Sequence, residues 1–490
     1  MTYRRYITKP LIASILAAAT ALTAACGGEA AENVVTESTD TTETTAAETT
    51  ALTDSVPELD FDGAQFRTIE QSSTSYGMYT AEANGDVVND AIFDRNGRIE
   101  ERFNIEFIET QRMTSGEISN MVSKAVMSGS DEFDLVFGQM YESARDAQSG
   151  IFLDWNTIPY VDFDKPWYVK SISDAAVGGK LYLIESELSL GYSQQTWMML
   201  YNKTKADELG NIPDLYQIVE DGGWTLDLLN QLTADVYQDL NGDTVRDDND
   251  FYGFAGTPGG CLLAAFMYGA DAKIAEVNSD LKVEQLIDSE KTLDVLSTMS
   301  ELFYTNSGTI FWNEALRGTG RVLFPKSVVL FSAMQVNDLV REDFGMRNMA
   351  DEFGVLPLPK YDEAQAEYYT VVDGGSDIMV VPATVTNTEL VGAIVEAMSA
   401  ASYNDVIPAY IGQAIEQKGT RDEESIMIMR EILDSRVIDF AYLYDGFSGW
   451  VMKLPSIIKN QSAIVSSIEN QMNAMEAYYQ EVVDTMSELE

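Results

Sequence analysis

The sequence predicts an α/β protein folded as two lobes. Residues 58–490 form a body longer than one hydrophobic core normally supports. Within that body, short β-rich runs alternate with helical patterns, the mark of parallel α/β units. A leading segment of quite different composition precedes it, so the chain divides into leader, tether and body.

The leader carries Arg4, Arg5 and Lys9, then an apolar run over 11–19, then Leu22, Thr23, Ala24 and Ala25 before Cys26. A basic start, a short apolar middle and small residues at a cut site are the parts of an export signal. The run is shorter than the roughly 20 apolar residues a membrane span needs. A cysteine directly after the small residues resembles a bacterial lipobox. That resemblance implies cleavage after residue 25, a lipid on the Cys26 sulfur and residence at the extracellular face of the cell membrane. Residues 26–57 read as a disordered, acidic, Thr-rich tether. Over 29–56 there is no aromatic residue and no Lys or Arg, so the segment buries too little apolar surface to offset its ordering entropy.

The body begins with a turn and strand near 61–70. A helix is predicted over 89–103, a strand over 105–108, a helix over 121–128 and a strand over 133–138. Ligands of such sheets sit beyond the carboxyl ends of strands, which makes Gln139 and Tyr141 candidates. Gln71, Ser72, Ser73 and Tyr76 follow the first strand in the same way. Cys261 opens an apolar stretch, 259–266, read as the start of a buried helix. Apolar residues at helical spacing from Ile464 to Met486 predict a final amphipathic helix.

Composition excludes much. With 79 acids against 31 bases the net charge is −48, which opposes nucleic acid as partner and favours a self-repelling, soluble monomer. There is no histidine, so triads, Cys–His pairs and histidine metal sites are ruled out. Carboxylate-pair hydrolysis stays open, but 79 acids produce close pairs by chance. The expectation is a protein that is not an enzyme. If Cys26 carries lipid, Cys261 has no disulfide partner.

Several stretches resemble family 1 extracellular solute-binding proteins, the carbohydrate-type lipoprotein receptors of ABC importers. They are Gly179-Lys180-Leu181-Tyr182, Tyr201-Asn202-Lys203, Trp224-Thr225 and the run 353–361. Residues 421–425 and 434–437 look like a carbohydrate-associated branch. The resemblance implies a two-lobed periplasmic-binding-protein-like fold of type II, with a sugar or oligosaccharide held between lobes and delivered to ABC permease subunits. It assigns 58–190 with 376–438 to lobe 1 and 191–375 with 439–490 to lobe 2. Chain crossings are expected near 188–195, 371–376 and 438–440. Closure about such hinges is a recognised switch. A peptide or other polar solute is the alternative ligand; a surface glycan hydrolase and a passive adhesin are the alternative functions.

Sugar rings offer apolar faces and polar edges, so aromatic side chains beside Asp, Asn, Gln and Glu suit them. By position, Trp450 is the stacking candidate, as it is where maltodextrin-binding relatives place a cleft aromatic. Gln194, Gln195 and Trp197 adjoin the first crossing. Asp373 and Gly374 lie at the second, where Asp373 can bond hydroxyls and glycine lets backbone approach. Trp155, Trp167, Trp224 and Trp312 are read mostly as packing.

One motif stands on its spacing. Asp239, Asn241, Asp243, Val245, Asp247 and Asp250 occupy positions 1, 3, 5, 7, 9 and 12 of an EF-hand-like loop, oxygen donors for a structural Ca2+. Thr244 replaces the glycine of position 6 and Asp250 the glutamate of position 12. A solvated acidic turn is the competing reading. Some relatives resemble this chain in carrying a structural calcium loop at the same place.

Overall fold

The computed structural model describes residues 51–489 apart from 74, 109–110, 257–258, 311–318, 417–422 and 447. The leader, Cys26, residues 26–50 of the tether, Trp312 and residues 421–422 lie outside the described residues.

The first sheet has the order β13-β5-β2-β4, with β2 (Thr68–Gln71), β4 (Gln111–Met113), β5 (Leu135–Gln139) and a late strand, β13 (Asp377–Val380), while β1 (Ala64–Phe66) and β3 (Ile105–Phe107) form a separate two-stranded sheet. β1 pairs in parallel with β3, and β2 pairs in parallel with β4 and β5. β13 closes the edge antiparallel to β5, with Asp377 opposite Gln139. Arg67 separates β1 from β2. Its guanidinium grips Asp131 and Asp134, and its carbonyl accepts from the Asp134 N–H, tying the start of β5 to β2. Leu135, Val136, Phe137, Ile378, Met379 and Val380 are all buried, the continuous apolar runs of a sheet covered on both faces.

Two helices cover this sheet, and both start earlier than the sequence pattern suggests. Val87–Phe103 begins at Asp86, whose side chain accepts from the Val88 and Asn89 N–H groups, and stops at Asn104 in the left-handed region. Ser115–Ser128 begins with a Thr114/Glu117 capping box and ends at Gly129, φ 69°. Its first turn is polar, so apolar periodicity alone picked up the helix only near Met121.

The second sheet has the order β10-β7-β11-β6-β12, with β6 Trp197–Asn202, β7 Tyr252–Ala255, β10 Thr309–Ile310, β11 Val329–Gln335 and β12 Phe353–Leu356. β7 is parallel to β10 and β11, while β6 runs antiparallel to β11 and β12. β6 and β11 are buried along their whole length. Trp224 is fully buried beside this sheet and donates its indole N–H to the Pro357 carbonyl at 2.9 Å. The helix Gly260–Gly269 is apolar almost all round and buried. A small hairpin, β8 (Ala275–Val277) with β9 (Val283–Gln285), receives the final helix Ile464–Ser487, which buries Ile464, Ile468, Met475, Tyr479, Val482, Val483 and Met486. Glu423–Asp434, within the span expected for the first lobe, packs against β12, and Ser425 accepts from the Val355 N–H.

Where the chain passes between the sheets, three segments run side by side. Thr196 bridges Val372 antiparallel, and Thr370 bridges Arg436 in parallel. Around these, Trp197 N–H donates to Val371, Asp373 N–H to Gln195, and Val437 N–H to Thr370. The contacts run over 195–197, 370–373 and 435–437, a few residues from the expected crossings. Beside them Arg436 meets Glu187 at 2.5 Å, both nearly buried, and Ser193 bonds both partners.

Candidate ligand cleft at the crossings

The strands of both sheets end in amides at the crossings. β2 ends in Gln71, β5 in Gln139 and β11 in Gln335. Gln71 Nε2 donates to the Gly375 carbonyl and Gln139 Nε2 to the Gly374 carbonyl, each at 2.9 Å. The Gln139 oxygen also caps the helix Met140–Ala147 through the Glu142 N–H. One residue type thus terminates a strand, starts a helix and holds the second crossing.

That crossing needs its glycines. A Cβ on Gly374 would stand 2.2 Å from the Tyr141 ring. Tyr141 packs edge-on to Tyr442 at 6.0 Å, and the Tyr442 hydroxyl donates to the Val372 carbonyl at 2.6 Å. Asp373 turns back to accept the Gly375 N–H at 2.9 Å, and the side chains of Cys261 and Gln335 beside it favour its charged form. Burial pushes the Asp373 carboxyl up, against the lowering pull of the Gly375 N–H and Arg321.

On the first crossing, Gln194 is fully buried, with Oε1 accepting from the Ser75 N–H and Nε2 donating to the Tyr76 carbonyl. Ser75 Oγ continues across to Asn337, on the turn after β11. Gln195 is 8% exposed and Trp197 4% exposed, yet Gln195 Nε2 and Trp197 Nε1 have no hydrogen-bond partner. A buried donor left without an acceptor costs about 1–3 kcal/mol.

The structure therefore gathers Gln71, Gln139, Tyr141, Gln194, Gln195, Trp197, Asp373 and Gly374 around the crossings. Ser72 is exposed just past the end of β2, and its N–H donates to the Met113 carbonyl. Trp450 also stands apart. It has no exposed surface, its indole N–H donates to Gln285 on β9, and Tyr479 of the last helix lies against its backbone. Trp155 and Trp167 are core residues. Gln335, Asn337, Arg321, Asp338 and Cys261 join the cluster without having been singled out as ligand contacts. For Gln335 the available signal was an amide ending a seven-residue apolar strand.

The acidic loop is folded tightly on itself. Asp239 accepts from the Gly242 and Thr244 N–H groups, and Asp243 from the Val245 N–H. Thr244 takes the left-handed conformation, φ 65°, that position 6 requires. Asp250 is fully buried, takes N–H and O–H bonds from Asp247 and Tyr237 on one oxygen, and leaves the other without a partner. Among the described residues, however, no three His, Cys, Asp or Glu side chains converge as a metal site. The turn fits a cation loop in backbone; its carboxylates as placed do not form one.

No family model matches the chain, and no curated protein matches it by sequence. Solved structures do. A cyclo/maltodextrin-binding protein complexed with maltotetraose aligns over 87% of this chain and 97% of its own, at 14% identity and TM-score 0.53. UgpB from Mycobacterium tuberculosis, in complex with glycerophosphocholine, aligns over 85% and 99%, at 15% identity and TM-score 0.53. A cyclic alpha-maltosyl-1,6-maltose binding protein from Arthrobacter globiformis aligns over 86% and 99%, at 13% identity and TM-score 0.53. The chain has the two-lobed, periplasmic-binding-protein-like α/β fold of these proteins. At such identities the likeness is one of fold.

Proposed function

We propose that the protein is a solute receptor that captures a sugar or oligosaccharide between its lobes and presents it to the permease of an ABC importer, without chemical conversion. The observation carrying this reading is the polar cluster at three hydrogen-bonded crossings, with two buried donors, Gln195 Nε2 and Trp197 Nε1, lacking acceptors. Ligand hydroxyl oxygens satisfy such donors, while Asp373 accepts from hydroxyl hydrogens and the Tyr141 and Trp197 rings offer apolar surface. Two fold neighbours whose names specify glucans support the ligand class.

In this reading Cys26 carries a lipid, residues 26–57 tether the body at the extracellular membrane face, and the lobes divide near the crossings. The loop from Asp239 to Asp250 becomes a structural Ca2+ site after its carboxylates turn inward. A thermal-shift screen tests the whole reading, using mono- and oligosaccharides, peptides and amino acids, each with calcium and with chelator. A ligand that binds only the folded state raises Tm by mass action. A rise with one glycan class, the glycan recovered intact, is expected. Peptide binding alone would replace the sugar, and released product would make the protein a hydrolase.

A further inference from the structure

Among the described residues, three arginines near the crossings are each paired with an acid. Arg436 holds Glu187 at 2.5 Å, Arg112 holds Glu70 at 3.0 Å, and Arg321 holds Asp338 at 2.7 Å. All three carboxylates are buried. Acidic charge reaches several of the side chains there. Asp373 and Asp445 both act on Cys261, Tyr141 and Tyr442. Among the described residues, the cation acting on Asp373 is Arg321, whose charge Asp338 offsets. The other polar groups there, Gln71, Gln139, Gln195 and Gln335, carry no charge. Around them lies a chain of net charge −48.

A ligand carboxylate or phosphate entering this cleft would lie beside Asp373 and would have to draw Arg321 away from Asp338 to be neutralised. A hydroxyl in its place avoids that cost, because the unpartnered Gln195 Nε2 donates to it and Asp373 accepts from it. We propose that Asp373, together with the neutralisation of Arg321 by Asp338, makes the cleft select uncharged sugars over their anionic counterparts, uronates and sugar phosphates. The inference rests on the sugar-receptor reading above and assigns its charge selectivity to two named carboxylates.

The test is calorimetric titration of the full chain with matched sets: glucose, glucuronate and glucose 6-phosphate; galactose, galacturonate and galactose 6-phosphate; maltotriose and its terminally oxidised acid. In at least one set the neutral member binds, at least tenfold more tightly than each anionic partner. Asp373→Asn narrows that gap at least threefold, and Asp338→Asn, by releasing Arg321, narrows it as well. The wild-type comparison decides the selectivity even if Asp338→Asn fails to fold. An anionic member binding as tightly as its neutral partner overturns the selectivity and leaves the sugar receptor standing. A gap unchanged in folded Asp373→Asn overturns the role of Asp373. Silence in every set, neutral and anionic, overturns the sugar reading and the selectivity with it.

Discussion

Glu187 and Arg436 form a nearly buried ion pair beside the crossings. Both are nearly dry, at 3% and 6% side-chain exposure, and Arg436 also lies over the Tyr192 ring at 4.3 Å. Removing one member of such a pair strands a buried charge, at about 3–5 kcal/mol. Glu187→Ala is therefore expected to lower unfolding free energy by that order in urea denaturation; an unchanged midpoint would show the pair contributes nothing. Gly374 is the second sensitive position. Its Cβ would collide with the Tyr141 ring, and overpacking of this kind costs typically about 1–3 kcal/mol. Gly374→Ala should lose stability and ligand affinity together, whereas loss of stability alone would remove Tyr141 from the site. At this scale the sequence showed which residue types suit a sugar but not which face solvent. Trp450 reads as a stacking residue from its position in the sequence. It is buried because Gln285, far away in sequence, supplies the acceptor its indole needs.

The elements that join the sheets also carry buried acids. Burial pushes Asp377 up to about 8, Asp445 up to about 7 and Asp439 up to about 6, with Glu70 adding to the shift at Asp377. Each of these groups binds its proton in the folded state over a range where the unfolded chain, with aspartate near 3.9, has released it. Stability therefore falls as pH rises from about 4 toward about 8. Thermal unfolding should give a higher Tm at pH 5 than at pH 8, and Asp445→Asn should flatten that dependence; a rising profile would contradict it. The acidic loop is a separate element with its own test. If it closes on Ca2+, chelator lowers Tm and Asp250→Asn removes that response; an identical Tm with calcium and chelator leaves a solvated turn. Its oxygen spacing was plain in the sequence. The backbone N–H groups that now occupy Asp239 and Asp243 were not, because they depend on how tightly the turn winds.

The two-lobed α/β plan of the body was legible because it depends on period and order. The apolar runs of β5 and β6, the alternation with helices and the sheer length of the body survive without knowledge of partners. The register of the crossings was not legible, since Thr196 opposite Val372 and Thr370 opposite Arg436 join segments far apart in sequence. The placement of Glu423–Asp434 against β12 is of the same kind. The proposed receptor reading has one ligand bound per chain at the crossings, and the most direct measurement is calorimetric titration of the wild-type chain and Asp373→Ala with the glycan that raises Tm most. The account predicts a 1:1 complex from which the variant loses at least tenfold in affinity while remaining folded. A folded variant that binds the glycan as well as wild type, or a wild-type chain that binds no glycan at all, would contradict it.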